Sequence, residues 1–188
     1  MSELIDELLA DATERMSKSV EATNGEFGSV RTGRASPALL DRVHVDYYGA
    51  PTPLRQLASI NTPEAQLLTV QPYDRSSLKA IEKAISDANL GLTPNNDGAI
   101  IRLVIPALTE ERRRELVKMV RHIAEEGRVA IRNVRRDVMH DLRELKGEGE
   151  VGADEEHRAE SELQKLTDAN VGELEALLKG KEEEILEV

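Results

Sequence analysis

A chain of 188 residues, 32% charged and only 2% aromatic, is long enough for one good core or two small ones, and has the balance of solvated helices rather than of a large sandwich or barrel. It has no cysteine, which excludes a disulfide framework and a thiolate metal site, and no apolar run near the ~18 residues of a membrane span. The formal net charge of −11 is unevenly spread: −5 over 1–30, +1 over 31–106, +3 over 107–146 and −10 over 147–188. Met1-Ser2-Glu3-Leu4-Ile5-Asp6 is acidic and lacks the basic-then-apolar order of a signal or transit peptide, so a cytoplasmic protein is expected.

Residues 2–29 read as a helix. Ser2 is a candidate cap, acids follow in the first turn, and Ile5, Leu9, Ala12, Met16, Val20, Thr23, Phe27 and Val30 form a seam at three-four spacing. A seam this narrow calls for other helices beside it. Asn24-Gly25 and Gly28 weaken the last turns. Arg31-Thr32-Gly33-Arg34-Ala35-Ser36-Pro37 then bends the chain out of the helix. A glycine between arginines is either a phosphate loop or a plain connector, and no G-x-x-x-x-G-K-[ST] pattern is present to decide for the first.

Residues 38–106 change character. Val43, Val45 and Tyr47 alternate with His44, Asp46 and Tyr48, a strand that Gly49 and Pro51-Thr52-Pro53 would end. Gln56 to Ile60 and Leu67 to Val70 are further strand candidates, separated by Asn61-Thr62-Pro63. Asp74 and Ser76 start a helix carrying Leu78, Ile81, Ala84 and Ile85 on one face, and Gly91 stops it. Thr93 to Gly98 reads as a loop and Ile100 to Ile105 as a buried strand. The sum is a module of about four strands and one helix.

After Pro106, Thr109 with Glu110 and Glu111 opens a long helix reaching about Lys146. Arg114, Lys118, Arg121, Arg128, Arg132 and Arg135 fall along one stripe of it, and Leu116, Val120, Ile123, Ala130, Val134, Val138 and Leu145 occupy the opposite face. Such a stripe is either an ordinary solvated face or a docking face. From Arg112 to Arg136 nine Lys or Arg stand against three acids, an imbalance that favours docking in a chain of net charge −11. The acidic flanks would repel a polyanion elsewhere and restrict its approach. Gly127 lies on the apolar side, where close helix packing explains it. Gly147 to Gly152 turns the chain, and Asp154 would cap a last helix with Ala159, Leu163, Leu166, Asn170, Leu174 and Leu177 as its seam.

Three long helices with matching seams, one before the mixed module and two after it, define an α+β protein. Residues 1–30 and 107–188 form a three-helix bundle domain, and 31–106 form an inserted domain. An insertion leaves and returns through one end of its host, so the crossings at Arg31, Thr32, Gly33 and Arg34 and at Ile105, Pro106, Ala107 and Leu108 should lie side by side as a two-stranded hinge.

Catalytic readings find little support. His44, His122, His140 and His157 show no metal-ligand spacing, and no G-x-S-x-G elbow occurs. An enzyme using His44, Asp46 and Tyr47 of the insert is awkward, because alternation puts Tyr47 on the other strand face. A helical adaptor meeting an acidic partner helix is the second alternative. Sequence-specific reading of single strands needs stacking aromatics, and Phe27, Tyr47, Tyr48 and Tyr73 are not interleaved with the arginines. The stripe suits phosphate and shape recognition of folded RNA.

With these residues in view the chain resembles the ribosome-recycling factors. The likeness is carried by Arg31-Thr-Gly-Arg-Ala-Ser-Pro37, Asp46-Tyr-Tyr-Gly49, Pro53-Leu-Arg-Gln-Leu-Ala-Ser-Ile60 and Asp87 to Asn96. It continues in Leu108-Thr-Glu-Glu-Arg-Arg-Arg114, Arg128-Val-Ala-Ile-Arg-Asn-Val-Arg-Arg-Asp137 and Gln164-Lys-Leu-Thr-Asp168. The resemblance implies an elongated, L-shaped molecule of a three-helix bundle and a small β/α/β sandwich domain, with an outline like that of transfer RNA. It implies a cytoplasmic, monomeric translation factor with no catalysis, metal, cofactor or membrane. Such a factor binds the large subunit of the 70S ribosome after termination and, with the GTPase elongation factor G, splits the ribosome to release messenger RNA and tRNA. On this likeness Arg128, Arg132, Arg135 and Arg136, with Arg114 and Arg121 of the same stripe and the linker residues Arg31 and Arg34, would face ribosomal RNA, Arg135 at the most critical position.

Overall fold

The computed structural model describes residues 2–187, so Met1 and Val188, the ends of the expected bundle ranges, lie outside the described residues. The chain divides into two compact units: one holds the chain up to Arg31 together with Glu111–Glu187, the other Thr32–Glu110. In order, the elements are α1 (Glu3–Ser29), β1 (His44–Tyr47), β2 (Ala50–Pro53), the single helical turn α2 (Leu54–Leu57), β3 (Ala58–Glu64), β4 (Leu67–Pro72), α3 (Leu78–Asp87), β5 (Pro94–Asn96), β6 (Ile101–Val104), α4 (Glu110–Gly147) and α5 (Ala153–Leu186).

The first unit is built of α1, α4 and α5. The α1 seam is as spaced: Ile5, Ala12, Met16, Val20, Thr23, Phe27 and Val30 are buried and Leu9 is half-buried. Ser2 stands at the N-cap position, but its side chain makes no capping bond; its carbonyl accepts from Ile5 and Asp6 instead. The 38 residues of α4 span about 57 Å at 1.5 Å per residue. Gly127 sits where the three helices crowd: a Cβ there would press on Thr23 Oγ1 of α1 and stand 2.6 Å from Leu174 Cδ1 of α5. The close-packing role expected of this glycine is what the structure shows.

A Schellman turn ends α4: Glu150 N–H reaches Leu145 O at 3.0 Å, Gly149 N–H reaches Lys146 O at 3.1 Å, and Gly149 has φ of +80°. Gly152, not Asp154, occupies the N-cap of α5, and Asp154, Glu155 and Glu156 fill the first turn, where the dipole favours their charge. The α5 seam is rotated from the expected one. Ala159, Leu163, Thr167, Leu174, Leu178 and Ile185 are buried, whereas Leu166, Asn170 and Leu177 are half-buried.

The second unit has six strands rather than four. β1 and β2 form a two-stranded ribbon closed by Tyr48 and Gly49, whose φ values of +51° and +80° suit a type I′ hairpin. Pro51 and Pro53, expected to end the strand, lie inside β2. In a two-residue hairpin the closing pair Tyr47 and Ala50 exchanges hydrogen bonds, so positions 51 and 53 take non-bonded sites where a missing N–H costs nothing. The second sheet is antiparallel in the order β3-β4-β6-β5. Gln56 and Leu57 belong to the helical turn α2, and Asn61-Thr62-Pro63 perturbs the register of β3 without breaking it. Pro94 to Asn96, read as loop, pairs with β6 as the short edge strand β5. Val45, Leu68, Val70, Ile101 and Leu103 from the strands close over Leu78, Ile81 and Ile85 of α3 to make this unit's core. The α3 helix ends at Asp87, before Gly91.

The two connecting stretches run side by side within this unit, as an insertion requires. Gly33 has φ of +72°, and a Cβ on it would stand 2.9 Å from Leu108 Cγ. Thr32, Gly33 and Ile105 are buried, and Arg31, Arg34, Pro106 and Ala107 are exposed. Ala35 N–H and Ile105 N–H bond to the carbonyls of Ala65 and Gln66, which ties both stretches to the start of β4.

Candidate nucleic-acid interface

The buried face of α4 is Leu116, Val120, Ala124, Gly127, Ile131, Val134, Val138 and Leu142. Ile123, Ala130 and Leu145 are only half-buried. The core direction is therefore turned some 30–40° toward the arginines at about 100° per residue, and the stripe does not stand opposite the core. Arg128 and Arg135 consequently lie at the margin of the helix packing, while Arg114, Arg121, Arg132 and Arg136 stand further out and are exposed.

That rotation gives several arginines an internal partner. Arg128, its side chain only 20% exposed, donates to Glu125 at 2.8 Å and to Glu175 of α5. Arg121 meets Glu182 of α5 at 2.5 Å, and Arg132 approaches Glu125 at 3.3 Å. Chiefly through the hydrogen bond from Arg128, the Glu125 carboxyl is held below its ordinary range. Arg135 donates to the amide oxygen of Gln164 at 2.5 Å.

Four arginines, Arg132, Arg135, Arg136 and Arg143, line one open groove along α4 and α5. Of the arginines singled out in the sequence, the structure gathers Arg132, Arg135 and Arg136 there. Arg121 lies roughly 16 Å up the helix from Arg132, and Arg114 further still. Arg31 closes the first unit after α1, and Arg34 belongs to the second unit. Sequence reasoning missed Arg143, which sits seven residues after Arg136 and so nearly repeats its direction on the helix. It also missed the role of Gln164, although the block Gln164 to Asp168 stood out in the resemblance.

The groove has the chemistry of an anion site: four planar guanidiniums line it, with Met139 and His140 among them. Among the described residues no group of three or more His, Cys, Asp or Glu is placed to hold a metal ion. His122 and His140 are exposed and lie 3.4 Å from Glu126 and Glu144 one turn on. In β1, His44 and Asp46 point outward and Tyr47 does not join them. Among the described residues no helix is long and apolar enough to cross a membrane.

Comparison with known proteins gives the chain a lineage. Residues 23–186 match the family model described as ribosome recycling factor. The chain is 57% identical over 188 residues to the ribosome-recycling factor of Rubrobacter xylanophilus, with both chains fully covered. It is 57% identical over 180 residues to that of Thermosynechococcus vestitus, covering 96% of this chain and 99% of the relative. A solution structure of a ribosome recycling factor matches with a TM-score of 0.78 at 42% identity over the whole of both chains. A T. thermophilus ribosome recycling factor, in models with E. coli elongation factor G bound to the E. coli post-termination complex, matches with a TM-score of 0.64 at 48% identity. That match covers 97% of this chain and 98% of the other. The chain belongs to the ribosome recycling factor family.

Proposed function

We propose that the protein is a translation factor that binds the large ribosomal subunit after termination. With elongation factor G it splits the ribosome, so that messenger RNA and tRNA leave and another round of initiation can begin. Its place of work is the cytoplasm, and it acts by binding rather than by making or breaking bonds. The observation that carries the reading is the arginine groove of α4 in a chain whose residues 23–186 match this family. The related factor placed with elongation factor G on a post-termination complex supports the same partners here.

In this reading Arg132, Arg135 and Arg136 hold phosphates of ribosomal RNA, because an arginine fork matches two phosphate oxygens and the groove keeps the forks together. Arg114, Arg121 and Arg128 lie on the same stripe of α4 outside the groove, the last two paired with glutamates, and Arg31 and Arg34 provide basic contacts at the connector. The stretches Arg31 to Arg34 and Ile105 to Leu108 are the hinge through which the inserted domain transmits a push from the GTPase. The left-handed Gly33 against Leu108 supports that role by confining where the backbone turns. Backbone order parameters that are the same in both stretches and in both units would remove the hinge from the account.

The test is a splitting assay: post-termination 70S ribosomes with this protein, elongation factor G and GTP, followed by light scattering. Dissociation that requires all three is expected, and is lost with Arg135→Glu. Absence of splitting with the wild-type protein would overturn the reading.

A further inference from the structure

Arg121, Arg128 and Arg135, spaced seven residues apart on α4, each reach across to α5, and their partners differ in one respect. Arg121 meets Glu182 at 2.5 Å and Arg128 meets Glu175, whereas Arg135 Nη1 donates to the neutral Oε1 of Gln164 at 2.5 Å. Two guanidiniums are thus compensated by carboxylates within the molecule. The third is held in position by an amide that leaves its charge uncompensated.

Gln164 is engaged from both ends. Its Nε2 donates to Asp168 Oδ1 at 2.8 Å, one turn along α5. Arginine can only donate and a carboxylate can only accept, so a single orientation of the amide satisfies both neighbours. Gln164 therefore bridges Arg135 and Asp168. A glutamate at this position would pair with Arg135 as Glu175 and Glu182 pair with their arginines. A methionine would keep the bulk and lose both bonds.

The charge balance of the groove makes one carboxylate matter. Its four arginines face Asp137, Asp141 and Glu160, and Asp137 is also bonded to Arg15 of α1 at 2.7 Å. Counted over the lining side chains, without Arg15, the formal excess is one positive charge, so a single added acid changes the balance markedly.

We propose that Gln164 determines where along the arginine stripe phosphate is bound: it orients Arg135 without neutralising it, while the glutamates of α5 silence Arg121 and Arg128. This rests on the RNA-binding reading above. The acidic last helix is then a template that selects which arginines stay available.

The test compares wild type, Gln164→Glu, Gln164→Met and Arg135→Glu for binding to purified large ribosomal subunits across a salt series. Gln164→Glu should lose roughly tenfold or more in affinity, the scale of one charge-assisted bond. Its plot of log affinity against log salt should also be shallower by about 0.7–0.9, the slope of one phosphate contact. Gln164→Met should lose less and keep the wild-type slope, because Arg135 keeps its charge and loses only its alignment. Gln164→Glu with the affinity and slope of wild type would overturn the proposal, and so would a Met variant that loses the slope as well. If Arg135→Glu binds as wild type does, the RNA face itself is misassigned, and the inference falls with it. Gln164 is exposed, so both Gln164 variants should melt close to the wild type.

Discussion

Gly127 of α4 and Thr23 of α1 meet so closely that a methyl group at position 127 would overlap the Thr23 hydroxyl oxygen. The same methyl would crowd Leu174 of α5, so one glycine sets the approach of all three helices in the first unit. Placing alanine there gains about 1 kcal/mol of helix propensity and loses about 1–3 kcal/mol to overpacking. Gly127→Ala is therefore expected to be destabilising, with a melting midpoint lower by a few degrees. Thr23→Ala in the same chain should recover part of the loss, a coupling that a double-mutant cycle by chemical denaturation would measure. Additive effects would mean that the helices part without strain.

Gly33 presents a related constraint in the second unit, with a different cause. Its φ of +72° disfavours any side chain, and Leu108 blocks the space a Cβ needs. Gly33→Ala should cost about 1–3 kcal/mol. Trimming the neighbour as well, in Gly33→Ala with Leu108→Ala, should restore little, because the backbone penalty remains. Hydrogen exchange at Ala35 and Ile105, whose amides tie the two stretches to β4, reads the effect directly.

The arginines of α4 should separate by function and by stability. Arg128 is mostly covered and paired with Glu125 and Glu175, so Arg128→Ala should lower stability by about 1 kcal/mol. Arg136 is exposed in the groove, and Arg136→Ala should leave the melt unchanged while weakening ribosome binding. Differential scanning calorimetry beside a binding titration distinguishes the two.

Acid should act on the second unit through Asp97. Its carboxyl is held well below the ordinary carboxylate range, first by the Arg102 side chain at 2.7 Å and then by the N–H groups of Ile100 and Ala99. A carboxyl whose folded pKa is depressed contributes stability above its unfolded pKa of ~4 and loses it as pH falls below that value. Asp97→Asn should therefore lower stability at neutral pH and converge with the wild type below about pH 4, which flattens the acid limb of the profile. Unchanged steepness in thermal melts of the variant would assign acid sensitivity elsewhere.

Much of this was legible in the residues. The seam of α1, the extent of α4, the packing of Gly127 and the adjacency of the two connecting stretches all follow from spacing or from the logic of an insertion. The missed strands have a common origin. Pro51, Pro53 and Pro94 read as strand breakers, yet β2 uses its prolines at non-bonded positions and β5 is an edge strand. Asp154 and Ser2 were reasonable caps by residue type, but Gly152 and a backbone carbonyl took those parts. The largest correction concerns direction on α4. Ala124, Ile131 and Leu142, which the expected apolar face left out, turn the core toward the arginines and bring Arg135 to Gln164. Which arginine has an acid for a neighbour is a matter of register between helices, and no single helix records it.

The central claim is that the groove of Arg132, Arg135 and Arg136 binds ribosomal RNA. It is tested most directly by sedimenting the protein with isolated large subunits from low to high salt, with Arg135→Glu alongside. Several phosphate contacts predict a steep fall of log affinity with log salt, about 0.7–0.9 per contact, and little sedimentation of the variant even at low salt. Binding that ignores salt, or a variant that sediments with the wild type, would contradict the account.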